Sequence, residues 1–80
     1  MSGTVPVLRS KEIIAILEKL GFVMVRQRGS HQQFRHADGR ATTVPVHGSR
    51  DVAPLLLRQI CKDIHVTTDD FLANRKNESM

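Results

Sequence analysis

The sequence has no tryptophan and no tyrosine, and it has a single cysteine, Cys61. The missing aromatics leave the core to isoleucine, leucine, valine and three phenylalanines. One cysteine excludes an intramolecular disulfide, and a lone thiol fits a reducing, cytoplasmic setting. No apolar run approaches the roughly 20 residues that a membrane helix needs, so no membrane partner is expected. The opening run MSGTVPVLRS lacks a long apolar stretch and reads as a loose tail instead of a secretory leader. Acidic residues are scarce in the middle of the chain. Over residues 26–50 the basic residues are Arg26, Arg28, Arg35, Arg40 and Arg50. Asp38 is the single acid there, which leaves that stretch at a net +4. Three of the four histidines, His31, His36 and His47, lie in the same stretch. A cationic centre of this kind suits a polyanionic partner, although a plain solvated surface has the same composition.

What is present fits one small domain of 80 residues. Ile13, Ile14, Leu17 and Leu20 recur at helical spacing behind Ser10, a residue suited to an N-cap. Glu12 is placed well for the helix dipole, and Gly21 for the stop. The spacing predicts a first helix over residues 10–20. Residues 22–27 are strand formers, Arg28-Gly29 is a candidate turn, and residues 30–36 read as a second strand. Asp38-Gly39 is a hairpin signal, and residues 41–46 read as a third strand that Pro45 marks as an edge strand or a strand end. A second long helix is expected from a cap at Ser49 or Asp51 to about residue 63, with Val52, Leu55, Leu56, Ile60 and Ile64 on its apolar side. Pro54 is tolerated there because it falls in the first turn. Thr67 with Asp70 resembles a capping box for a short third helix. The expected organisation is a tail over 1–9, one domain over 10–73 and a fraying tail over 74–80. The fold class is α+β, a three-stranded antiparallel sheet with the helices on one face and the other face open to water.

Alternation along the second strand assigns its side chains to faces. Phe34 must point to the helices, and Gln32 and His36 share its parity. His31, Gln33 and Arg35 then share the open face. Arginine forks onto phosphate oxygens, and glutamine reaches a sugar or a base edge. An imidazole is the one group of the three that ordinarily exchanges a proton near neutral pH. RNA carries its own nucleophile, the 2′-hydroxyl, so a histidine acting as general base within a cationic cradle could cut it. The residues alone leave open that His31 is a surface histidine beside a turn. His36 and His47 are secondary candidates for the same chemistry. Their spacing with His31 matches no zinc pattern, and no metal or other cofactor is expected. Cys61, between Ile60 and Lys62, reads as a core residue.

The run Leu20-Gly21-Phe22, then Arg26-Gln27-Arg28-Gly29-Ser30-His31, Phe34-Arg35-His36, Asp38-Gly39-Arg40 and Thr43-Val44-Pro45 resembles the HicA toxins of prokaryotic HicAB toxin–antitoxin systems. The likeness spans residues 9–71. It implies a small double-stranded-RNA-binding-domain-like fold. It further implies a toxin of a type II system, an endoribonuclease that cleaves messenger RNA and is neutralised by a HicB-type antitoxin. The family's catalytic histidine falls on His31, with Gly29 and Ser30 in the turn that places it. Arg26, Arg28, Gly29, Ser30, Gln33, Arg35 and Arg40 become the expected RNA contacts. One departure stands out: Leu55-Leu56 occupies the place of a Gly-Thr pair common in the family. Two other functions remain open from sequence, a non-catalytic RNA-binding module and a module that binds only protein.

Overall fold

The computed structural model describes residues 7–46 and 51–75. In chain order the elements are β1 (Leu8–Arg9), α1 (Ser10–Lys19), β2 (Val23–Arg28), β3 (His31–Arg35), β4 (Ala41–Pro45), β5 (Asp51–Val52), α2 (Pro54–Asp63) and α3 (Thr68–Ala73). The fold class is α+β. The main sheet has strand order β2-β3-β4 and is antiparallel throughout, so the expected meander forms and Pro45 does lie on an edge strand.

The first helix begins one residue differently from its expected cap. Arg9 occupies the cap position, and Glu12 accepts its backbone N–H at 3.0 Å. Ser10 is instead inside the helix and 3% exposed, and its hydroxyl donates to the Pro45 carbonyl at 2.6 Å. A residue suited to capping has thus been used to fasten α1 to the end of β4. Gly21 ends α1 at φ +98, with its N–H and that of Phe22 returning to the carbonyls of Glu18 and Leu17.

Leu8 and Arg9, assigned to the tail by composition, pair with Val52 and Asp51 in a two-stranded ribbon, and Leu8 is fully buried. The ribbon takes up Asp51 and Val52, so the second helix starts later than expected, at Pro54 behind Ala53. The Ser49 alternative for that cap lies outside the described residues. The helix buries Leu57, Ile60 and Cys61, with Ile64 just beyond, the spacing of one helical face. Leu55 belongs to the opposite side and is 78% exposed, and Leu56 only flanks the core. Thr67 caps α3 as expected by accepting the Asp70 N–H at 3.0 Å.

The core is one cluster in which Ile13, Ile16 and Leu17 of α1 and Leu57 and Ile60 of α2 meet Phe22, Phe34, Val44 and Phe71. Phe34, Thr42 and Val44 show that the helices lie over β3 and β4. They do not cover the whole sheet, because all six residues of β2 are exposed, Met24 among them. Side-chain hydrogen bonds tie helix to sheet and the helices to one another. Asp63 at the end of α2 accepts from Thr42 and from Gln59, each at 2.9 Å, and Arg75 reaches Glu12 at 3.4 Å.

Candidate nucleic-acid interface

The interface is built on the β2–β3 hairpin. Arg28 and His31 pair across a two-residue turn, Gly29-Ser30. Arg28 is therefore the last residue of its strand and not part of the turn. Gly29 has φ +58 and Ser30 has no positive φ, the pattern of the type II′ turn that matches the twist of a hairpin. A Cβ on Gly29 would meet nothing within 4 Å, so glycine is required there by conformation and not by space. On its far side His31 pairs with Pro45, the residue that Ser10 holds from behind. The Ser30 carbonyl accepts the Val46 N–H and prolongs the ladder past Pro45. His31 thus sits at the fixed end of a ladder bound on both sides, and it is exposed.

Register places the other groups. Gln33 pairs with Arg26 and Thr43, and Arg35 pairs with Val23 and Ala41. Simple alternation would put Met24, Arg26 and Arg28 on one face. The ladder slips between Met24 and Arg26, leaving Val25 as an extra residue. This bulge lets Met24 lie opposite Phe34 on the helix side while Arg26 and Arg28 join His31, Gln33 and Arg35 on the open face. Five of the residues expected from sequence are thereby brought together, with Gly29 and Ser30 as the turn between them. A shallow depression of about 410 Å³ crosses the same region past Val25, Gln33, Arg35, Thr43 and Asp63.

Arg40 is placed elsewhere. Its guanidinium donates to Asp38 Oδ2 and to the Ile64 carbonyl, each at 2.8 Å, and lies 5.2 Å from the centre of the Phe22 ring. Its backbone N–H and guanidinium also hold the Asp38 carboxyl below the ordinary carboxylate range. His36 is likewise turned to the helix side. Its ring meets Phe22 edge-on at 5.0 Å, and Nδ1 accepts the Asp38 N–H at 3.1 Å. Asp38 Oδ1 is also 3.1 Å from Nδ1, a contact that becomes an ion pair only when the ring is protonated. His47 and Arg50 lie outside the described residues. Among the described residues no cluster of three His, Cys, Asp or Glu side chains could hold a metal ion, and no helix is long and apolar enough to cross a membrane. Cys61 is 2% exposed, and burial pushes its thiol up to about 11, which removes it as a nucleophile at neutral pH.

A family model described as the HicA toxin of bacterial toxin-antitoxin matches residues 10–66. The chain belongs to the HicA toxin family. Comparison with curated proteins gives no match. The part shared with the HicA family runs from the first residue of α1 to the end of the turn after α2. It contains the whole sheet and leaves out β1 and α3. As a HicA toxin the chain has a toxin's role in a toxin–antitoxin pair. What sequence reading did not find on this HicA sheet is the apolar neighbourhood of the arginines. Val23 and Val25 are 61% and 55% exposed, although valine in a strand ordinarily signals burial.

Proposed function

We propose that this toxin is an endoribonuclease that cleaves messenger RNA, with His31 as its catalytic residue and a HicB-type antitoxin as the protein that neutralises it. The observation that carries the reading is the hairpin register that gathers His31, Arg28, Arg26, Gln33 and Arg35 on one exposed face. In this reading neutral His31 takes the proton of a ribose 2′-hydroxyl. The oxygen attacks the adjacent phosphorus, the bond to the 5′-oxygen breaks, and that oxygen leaves with the proton that the His31 imidazolium gives back. Arg28, directly across the ladder, and Arg26 stabilise the charge that builds on the phosphoryl oxygens. Gln33 and Arg35 hold the strand on one side of the cut. Gly29 and Ser30 fix the hairpin end that carries His31. Arg40 is left out of the RNA contacts because its Nε and Nη1 are engaged by Asp38 and Ile64 within the fold.

The experiment compares the purified full chain with His31→Ala on a single-stranded RNA, with circular dichroism as the check on folding. Loss of cleavage by a factor of about 100 or more in a folded variant supports the assignment. Equal rates in the two proteins overturn it. Salt-sensitive RNA binding by the wild type with no cleavage product makes the chain a binding module instead.

A further inference from the structure

The exposed face continues beyond the arginines into an apolar depression of about 290 Å³. Its walls are Gly21, Val23, Val25, Arg35, His36 and Ala37. Val23 and Val25, alternate residues of β2 and both exposed, form its floor, and the bulge after Val25 brings Arg26 onto the same face. Arg35 lines it as well, directly across the ladder from Val23. It is an open hollow just below the roughly 300–1,000 Å³ range of ligand pockets, with room for one flat ring system and no more.

We infer that this depression is a nucleobase subsite, which receives one base of the RNA strand two nucleotides from the phosphate at His31. The inference rests on the nuclease reading above. Alternate residues of a strand are about 6.7 Å apart, the step of one nucleotide in an extended chain. His31, Gln33 and Arg35 therefore mark three successive nucleotides, and the depression lies beside the third. Apolar side chains take the face of a base, and an arginine beside them can stack on it or fork onto a purine edge. The surrounding charge is positive, from Arg26, Arg28 and Arg35, which suits a nucleic-acid strand better than an apolar protein segment. The subsite would give the toxin a base preference at a position distant from the cut, while the groups beside His31 contact only backbone.

The test uses the full chain and a short single-stranded RNA whose cut position is first mapped with the wild type. One abasic residue is then moved along the oligonucleotide. Cut rates are measured, and affinities are read by fluorescence anisotropy on 2′-O-methyl versions that cannot be cut. An abasic residue two steps from the cut, on one side only, should weaken wild-type binding about five- to tenfold, the low end for loss of a stacked base. The Val23→Ser/Val25→Ser variant should show a similar loss with intact RNA and no further loss with the abasic one. Val23→Thr/Val25→Thr, which keeps the strand propensity, guards against a folding defect and should show part of the same effect. RNA that is bound and cut with no dependence on the valines or on that base overturns the subsite and leaves the nuclease standing. Absence of any RNA binding overturns both. Valine variants that bind RNA normally but change the protein's self-association overturn the subsite and make the patch a contact between copies.

Discussion

Arg28 lies directly across the β2–β3 ladder from His31, with only Gly29 and Ser30 between them in the chain. Opposed side chains of an antiparallel pair have Cβ atoms roughly 4.5–5.5 Å apart. A phosphate placed at the imidazole is then within reach of the Arg28 guanidinium as well. Arg28→Ala should lower the RNA cleavage rate about 10- to 100-fold and leave the melting temperature near that of the wild type, since Arg28 is exposed. Arg58→Ala, on the exposed side of α2, is the control. An equal effect of the two substitutions would dismiss a local role for Arg28.

Arg40 should behave in the opposite way. Arg40→Ala removes the donor to the Ile64 carbonyl, the pairing with Asp38 and the cover over Phe22. The expected cost is about 1–3 kcal/mol of stability in urea unfolding. Cleavage per folded molecule should fall less than in Arg28→Ala. A stable Arg40→Ala protein with a selective loss of RNA affinity would return Arg40 to the interface.

The two long helices end in the same motif with different residues. After α1, Gly21 has φ +98; after α2, His65 has φ +60, with His65 and Val66 donating to the carbonyls of Lys62 and Cys61. A non-glycine side chain pays a steric penalty in that region. His65→Gly should therefore raise stability by about 0.5–1 kcal/mol. Gly21→Ala should lower it by about 1–3 kcal/mol, because its Cβ would also stand 3.0 Å from His36 Nε2. Denaturant midpoints of both variants check the pair, and a destabilised His65→Gly would contradict the account of the second cap.

Glu12 gives the fold a modest acid sensitivity. The Arg9 N–H holds its carboxyl below the usual value of 4.5, and Arg75 adds to the effect. The stabilisation is complete above about pH 4.5 and is lost as pH falls through the lower value of the folded state. The group is exposed, so Glu12→Gln should cost no more than about 0.5 kcal/mol at pH 7. The difference from wild type should vanish in urea titrations run well below pH 4. A difference that grows on acidification would reverse the sign of this linkage.

Much of the fold was legible because its signals are local. Gly21, Gly29, Asp38-Gly39 and the Thr67–Asp70 cap each set backbone geometry within a few residues, and the structure keeps all four features. Phe34 alone sufficed to orient β3, and so to place His31, Gln33 and Arg35 on one face. Arg26 and Arg28 could be named from charge but not assigned to that face, because the bulge at Val25 overrides the alternation on which such an assignment depends.

By itself, then, the sequence determined the order of the main elements, the meander and the hairpin end that carries His31. These follow from turn chemistry and from the period of apolar residues. Tertiary structure alone decided the rest. It paired Leu8 with Val52, turned Ser10 from a cap into a brace for Pro45, and drew Arg40 away to Ile64. It also held His65 in a glycine's conformation and slipped β2 by one residue. Each of these depends on partners distant in the chain or on a residue in a conformation its type disfavours. Packing selects such features only when the whole core has formed, so no local pattern announces them.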